Sequence, residues 1–357
     1  MKAWPKRCVP SISELEPMGP SGPAAATQVL EALMRHALST VVALPMPTWT
    51  LAGRTWRLAL VGLVQLLIHS APTLASAQQV VLRPHNEEGS QLVYRVTLQQ
   101  ETQMPGLGSE VINQTETMRW TVQSVAPDGD ATITVTTEHT SVELVGLAGN
   151  EFYDSDSDDA PATPAAQLAA ARVGLSYSMV MGADGRVKAV QGTEQLIEVM
   201  LASLPPEAVA MVEQMFNEDV LMQQMSQVFP TDPVGPDDSW QNSTSTTNPM
   251  FGTMTTNLTF VLDGVEQRDG RTVALISITG EIVFGDASGG PLAGLGDVVI
   301  GDTEMLGTMT FDVDRGVILS NDTTNNVTVT VSVAGQSMSV TTATVSSQEL
   351  IEYIPAA

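Results

Sequence analysis

The feature that most constrains the fold is an alternation of apolar and hydroxyl-bearing residues that recurs from Gln91 onward. Ala131, Ile133 and Val135 alternate with threonines, and the run 327–333 alternates valine with threonine and serine. A period of two places successive side chains on opposite faces of a strand, which predicts an antiparallel sheet with one apolar and one hydrated face. Several runs exceed ten residues, which favours a long curved antiparallel β-sheet, either a half-barrel or an open barrel.

Glycine-containing turns separate the alternating runs in pairs. The turns lie at Gly129, Gly185, Gly270 and Gly316, and each glycine supplies the positive φ that a tight hairpin requires. The first two turns and the last two turns follow the same order of runs. This order suggests two similar halves, as an internal duplication would produce.

Between the halves the apolar period changes to that of a helix. The pattern predicts one helix over 193–204 and a second from Pro206 to Phe229, with a proline favoured in the first turn. The expected fold class is therefore α+β, a curved sheet with a central helical pair packed on it. The single domain spans 78–357, with β halves at 78–192 and 237–354 and the helical pair at 193–229.

Methionines dominate the apolar face of the predicted helical pair. Because methionine packs adaptably, we expect these helices to hold an apolar ligand such as a lipid against the sheet. The candidate ligand-binding residues are Met200, Met211, Met215, Met222, Met225, Trp120 and Trp240. Ordinary core packing is the alternative for the methionines. The alternative function is an envelope or cell-surface interaction module with a filled core and no small-molecule ligand.

The charge balance and the cysteine content exclude several function classes. The chain has 15 basic and 40 acidic residues, a formal charge of −25, which argues against nucleic acid as a partner. One cysteine, Cys8, cannot build a disulfide framework or a zinc ribbon. No histidine pair has metal-ligand spacing, and no serine nucleophile has a recognisable base. We therefore expect a protein that is not an enzyme and needs no cofactor.

An acidic run is the most suggestive polar feature. Asp154, Asp156 and Asp158 follow the first ligand spacings of a calcium-binding loop, but Asp159 and Ala165 stand where such a loop needs glycine and glutamate. The run predicts at most a weak calcium site. The alternative is a solvated acidic loop followed by the alanine- and proline-rich stretch 160–171.

The N-terminal part of the chain carries the pattern of a secretory signal. Arg54 and Arg57 precede an apolar run over 58–68, and a small-residue site ends at Ala77. This predicts a signal peptide over 46–77, cleavage after Ala77, and a periplasmic or secreted protein that does not span the membrane. The alternative is a short buried helix or membrane anchor. Residues 1–45, with six prolines, are expected to be a non-native extension or disordered.

Short motifs in a fixed order resemble a family of exported bacterial proteins of unknown function, of the planctomycete type. They are Leu-Val-Tyr-Arg at 92–95, Met-Arg-Trp-Thr-Val at 118–122, Pro-Asp-Gly at 127–129, the hairpin at 185–192 and Pro-Asp-Asp-Ser-Trp at 236–240. The resemblance covers about residues 80–350 and implies export and a β-rich body, without catalytic residues. By architecture the chain also looks similar to half-barrels of the lipoprotein-carrier type.

Overall fold

The computed structural model describes residues 79–357, except 147–148, 158, 195–196, 199–217, 228, 249–251, 286–296, 302 and 334–335. The described residues lie in one compact unit, Ala43–Ala357. The strands of the first half are β1 (Gln91–Met104), β2 (Gly108–Val125), β3 (Ala131–Gly146), β4 (Gly149–Asp154), β5 (Ser176–Met181) and β6 (Val187–Gln191). Those of the second half are β7 (Ser239–Asn248), β8 (Gly252–Arg268), β9 (Arg271–Phe284), β10 (Asp297–Ile300), β11 (Glu304–Asp312), β12 (Val317–Val333) and β13 (Gln336–Ile354). The helices are α1 (Pro164–Arg172) and α2 (Glu218–Met225).

The described strands form one open antiparallel sheet. Its order is β6-β5-β3-β2-β1-β13-β12-β11-β9-β8-β7, with β4 paired to β3 and β10 paired to β12. The chain runs from the centre of the sheet to the edge strand β6, crosses to the other edge strand β7, and returns to the centre. There β13 pairs with β1 along nearly its full length, from Gln91 opposite Ile354 to Gln103 opposite Thr341.

The order of the strands repeats between two parts of the sheet. The series β1-β2-β3-β5-β6 and β7-β8-β9-β11-β12 cross the sheet in the same direction, and β13 joins them. The segments that precede β1 and β7 also make equivalent contacts with glycine turns. His85 N–H donates to the carbonyl of Gly316, and Gln227 N–H donates to the carbonyl of Gly185. Both glycines have positive φ, as their hairpins require.

One face of the sheet, here called the inner face, carries the apolar clusters near the four glycine turns. In the second half the cluster contains Leu262, Ile276 and Phe311. In the first half it contains Ile133 and Met179. Segments 79–90 and 229–238 close this end of the inner face, where Val80 and Val234 exchange backbone hydrogen bonds.

Both helices pack on the inner face. Helix α1 begins at the N-cap Thr163, whose hydroxyl accepts from the N–H of Ala166, and Pro164 lies in its first turn. Its buried Ala169 contacts Val142 and Leu144 of β3. Helix α2 packs its methionines against the first-half cluster. The described helices contain no segment long and apolar enough to cross a membrane.

The structure corrects the α+β prediction to a mainly β fold. The predicted helical pair is not found as such. Within 193–229 the described helical residues are α2 and the positions Glu194, Ile197 and Glu198, while 199–217 lie outside the description. Helix α1 lies in the stretch interpreted from sequence as a loop, because a threonine cap and an alanine run favour a helix there. The predicted extension 1–45 and signal peptide 46–77 also lie outside the described residues.

Candidate ligand-binding face

The middle of the inner face is lined by buried polar side chains, here called the polar stripe. Its members belong to β1, β2, β3, β12 and β13. Gln100 pairs with Thr344, which pairs with Asn325, while Glu116 and Thr140 form a separate cross-strand pair on β2 and β3. The polar stripe consists of Gln100, Thr102, Glu116, Thr140, Asn321, Thr323, Asn325, Thr342, Thr344 and Ser346. Apolar clusters flank it toward the glycine turns, and α1 covers its β3 side.

The polar stripe arises because the inner face changes composition along β12 and β13. Val327, Val329 and Val331 of β12 are buried on this face. The next inner positions of the same strand toward Val317 are Asn325 and Thr323, and they too are buried. On β13, Thr344 is 2 % exposed while its neighbour Val345, on the outer face, is 39 % exposed. The hydroxyl residues therefore point inward here, opposite to the predicted apolar-in arrangement.

Unsatisfied polar atoms are concentrated on the inner face. In the described part of the chain five buried side-chain atoms have no hydrogen-bond partner, and they are Trp120 Nε1, Thr140 Oγ1, Asn321 Oδ1, Thr323 Oγ1 and Asn325 Oδ1. The strand registers place all five residues on the inner face. A buried polar group without a partner costs about 1–3 kcal/mol, so native proteins keep such groups rare. All five atoms thus lie on the face that also carries the apolar clusters.

The one charged member of the polar stripe is neutralised. Arg172 of α1 forms two bonds with the Glu116 carboxylate, Nη1 to Oε1 at 2.7 Å and Nη2 to Oε2 at 3.0 Å. Gln114 donates a third bond, from Nε2 to Oε1 at 2.6 Å. The Glu116 side chain is 8 % exposed. Because its carboxylate already has a cation and an amide as partners, the polar stripe presents hydroxyl and amide groups without net charge.

The structure separates the two tryptophans predicted to line a ligand site. Trp120 lies edge-on to Tyr94, with ring centroids 5.3 Å apart. Trp240 stacks on Phe260 at 5.4 Å, against the cluster of the other half. Each is half-buried against the inner face, and the polar stripe lies between their clusters.

The structure describes two of the five predicted methionines. Met222 and Met225 of α2 are half-buried and pack on the first-half cluster, beside Trp120. Met200, Met211 and Met215 lie outside the described residues.

The acidic run lies on the outer face and gains a partner that sequence reasoning missed. His139 of β3 places Nε2 at 2.9 Å from Asp154 Oδ1 and 3.8 Å from Asp156 Oδ2. The backbone N–H of Asp156 bonds to Asp154 Oδ1 at 2.8 Å, and together with His139 it holds the pKa of Asp154 below its ordinary value. These three side chains could offer ligand atoms to a metal ion. An ion pair accounts for the geometry equally well. Asp158 lies outside the described residues, and the calcium site stays a prediction.

A polar cleft lies beside the edge strand β7. It has a volume of about 490 Å³ and is lined by residues that include Gln241, Ser243, Asn257 and Glu281. Ser243 Oγ donates to Asn257 Oδ1 at 2.8 Å, and Asn257 Nδ2 donates to Glu281 Oε1 at 3.3 Å. The cleft therefore offers partnered amide and hydroxyl groups next to the outermost strand.

Comparison with known proteins gives a family match and distant fold likenesses. A family model described as a family of unknown function, DUF6263, matches residues 128–318, more than half of the chain. No curated protein matches the sequence. A structure of lipovitellin, described as showing lipid-protein interactions, has a TM-score of 0.44 and 10 % identity over 76 % of this chain and 26 % of that chain. This chain thus spans about a quarter of the lipovitellin chain.

Two further solved structures share less. DynF from the dynemicin biosynthesis pathway of Micromonospora chersina has a TM-score of 0.19 and 8 % identity, over 82 % of this chain and 93 % of that chain. OpdQ of Pseudomonas aeruginosa has a TM-score of 0.19 and 6 % identity, over 76 % and 100 %. At these TM-scores none of the three structures supports an argument about function.

Proposed function

The chain belongs to the DUF6263 family, whose function is unknown, and we propose that it is an exported, non-enzymatic protein that binds an amphipathic molecule on the inner face of its sheet. The observation that carries this proposal is the set of five unpartnered buried polar atoms on one face, flanked by apolar clusters. A purely apolar ligand would leave these atoms unsatisfied. A ligand with both polar and apolar parts satisfies them and also extends the burial of the apolar clusters.

The two parts of the ligand have separate contacts in this proposal. The apolar part lies along the first-half cluster, near Trp120 and the α2 side chains Met222 and Met225. The polar part lies over the polar stripe. The stripe offers hydroxyls, amides and one neutralised carboxylate, while His139 lies on the opposite face. This composition supports binding rather than catalysis, because it lacks the activated nucleophile or free acid–base pair that a reaction would require.

The test is native mass spectrometry of the full chain, produced in an exporting host and purified without detergent. We expect a bound mass that disappears after solvent extraction and a stripped protein that binds a fluorescent alkyl probe. The natural ligand is then identified from the extract. A protein that carries no bound mass and takes up no probe contradicts the proposed function.

Export is tested on the same material. We expect the mature protein to begin at Gln78, because the signal-like segment ends at Ala77. Peptides from residues 1–45 in the exported protein would contradict this part of the proposal.

A second candidate function, an interaction module, is favoured by the edge strand β7. Charged residues and proline usually protect an edge strand from pairing with another chain, and positions 241–246 carry neither. In the described part of the chain β7 pairs with β8 alone, and the polar cleft lies beside it. A partner strand added to this edge would use main-chain hydrogen bonds. Ser245→Lys should then weaken binding to an envelope fraction without changing ligand binding, and an unchanged affinity for that fraction contradicts this candidate.

A further inference from the structure

We propose that the polar part of the bound molecule is an uncharged sugar whose hydroxyl groups donate hydrogen bonds to Asn321, Thr323 and Asn325 of β12. The proposal rests on the proposed function and gives the chemical class of its ligand.

The three side chains form a regular row of acceptors. They occupy alternate positions of β12, so their side chains point to the same face with a spacing of about 7 Å. Asn325 is 3 % exposed and Thr323 is 5 % exposed, and the Oδ1 or Oγ1 atom of each residue has no partner. A ligand that satisfies these atoms must bring several hydrogen-bond donors, and the donors must be spaced along the direction of β12.

The facing row on β13 consists of hydroxyl residues. Thr344 and Ser346 pair directly with Asn325 and Thr323 across the sheet, and both are buried. A hydroxyl group both donates and accepts. A ligand with many hydroxyl groups can therefore satisfy both rows at once, which an amine or a carboxylate cannot do.

Packing fixes the direction of the central acceptor. Thr323 lies opposite Gly307 of β11, and a Cβ atom on that glycine would come within 2.6 Å of the Thr323 methyl carbon. The methyl group therefore occupies the space over the glycine. Because the methyl takes the β11 side, the Thr323 hydroxyl is directed away from β11, and it remains without a partner.

The electrostatics exclude a charged headgroup. An anion would face the unpartnered amide oxygens of Asn321 and Asn325 in a chain with a formal charge of −25. A cation would need a buried counter-charge, but Glu116 is already paired with Arg172. Among the described residues, the other inner-face carboxylate near the polar stripe is Glu110, on β2, three strands and about 14 Å from β12. An uncharged group is the one that the acceptor row can bury.

Three amphiphiles with the same alkyl chain test the proposal on the full-length, delipidated protein. Dodecyl maltoside, dodecyl phosphate and dodecyltrimethylammonium are titrated by calorimetry below their micelle concentrations. We expect the maltoside to bind at least about tenfold more tightly than either charged amphiphile. Equal affinities for all three overturn the sugar assignment but leave the proposed function standing. Binding of none of them contradicts the proposed function itself.

A matched pair of variants assigns the effect to the acceptor row. Thr323→Val removes one unpartnered hydroxyl from the inner face, and Thr324→Val removes a hydroxyl from the outer face of the same strand. We expect Thr323→Val to lower maltoside affinity about five- to tenfold and to leave the charged amphiphiles unchanged, while Thr324→Val changes nothing. If Thr323→Val folds normally and keeps full maltoside affinity, the row binds only water and the sugar assignment is wrong.

The variant Asn325→Leu tests the maltoside affinity at a second residue of the acceptor row. It should lower maltoside affinity by a similar factor, with urea midpoints and circular dichroism spectra checked for every variant. If Thr323→Val fails to fold, the comparison of Asn325→Leu with Asn326→Leu decides, because Asn326 is exposed on the outer face. Unchanged affinity in the folded Asn325→Leu variant overturns the proposal.

Discussion

Replacement of Arg172 by methionine should strongly destabilise the protein, because it leaves the Glu116 carboxylate buried without its cation. The Glu116 side chain is 8 % exposed and the Arg172 side chain is 30 % exposed, and two bonds of 2.7 and 3.0 Å join them. Loss of one partner from a fully buried pair costs about 3–5 kcal/mol. Since Arg172 is partly accessible, water can replace some of its contact. We therefore expect a loss of about 2–4 kcal/mol in the free energy of unfolding, a large share of the 5–15 kcal/mol typical of a domain.

Urea unfolding at pH 7, followed by tryptophan fluorescence and circular dichroism, measures this loss. Arg119→Met is the matched control, because Arg119 pairs with Glu138 at the surface, where both side chains are about a third exposed. That pair should contribute less than about 1 kcal/mol. The double variant Glu116→Gln/Arg172→Met should recover most of the loss. If Arg172→Met costs no more than Arg119→Met, Glu116 is hydrated, the inner face is not dry, and the argument for an uncharged ligand loses its basis.

Three further outcomes are expected from the geometry. Gly185→Ala should destabilise the protein by more than the approximately 1–2 kcal/mol that a positive φ costs a residue with a Cβ, because that Cβ would come within 2.5 Å of a carbonyl oxygen. Gly270→Ala has open space around it and should cost only the free energy of the positive φ. The urea midpoints of the two variants measure the difference. Asp154→Asn should lower stability near neutral pH. Since the pKa of Asp154 is lowered in the folded state, its contribution is present above about pH 4 and is lost in more acidic solution. The urea midpoints of the variant and the unmodified protein should therefore differ at pH 7 and approach each other as the pH falls below about 4, and a constant difference would contradict this. Burial raises the pKa of Tyr94 and raises that of Tyr177 to about 12. Their neutral forms therefore stabilise the fold fully below about pH 10, and this contribution is lost as the pH rises through the folded-state pKa of each tyrosine. Absorbance at 295 nm should show this as tyrosines that ionise only on unfolding.

Much of the fold follows from local signals in the sequence. The four glycine turns are found where Gly129, Gly185, Gly270 and Gly316 predict them, each with positive φ, because a tight hairpin leaves few alternatives to glycine. The pairing of β1 with β13 has no local signal. It depends on contacts between distant parts of the chain, and one-dimensional periodicity does not contain them.

The polar stripe could not be predicted, because both faces of its strands carry similar residues. On β13 the outer face includes Ala343 and Val345, and the inner face includes Val340 and Thr344. When hydroxyl residues occur on both faces, alternation predicts a strand without indicating which side is buried. His139 was missed for another reason. It lies 15 residues before Asp154, and the fold of β3 onto β4 brings them together.

The resemblance inferred from short motifs is confirmed in part. The chain belongs to a family of unknown function, as the resemblance implied. Bacterial origin and export stay predictions. Met222 and Met225 pack against the sheet, but the α+β class overestimated the helical content of the described residues.

The central seam between β1 and β13 has a consequence for how the chain folds. Thr102 and Thr342 meet across it through their hydroxyls although they are 240 residues apart in sequence. Each half can form from neighbouring hairpins, which are fast local steps. The seam can form only after both halves are present. The entropic cost of closing such a long loop is nevertheless small, because each doubling of loop length adds only about 0.6 kcal/mol. Folding should therefore end with the union of two preformed meanders, and the polar stripe, which spans that seam, would be the last part of the molecule to be assembled.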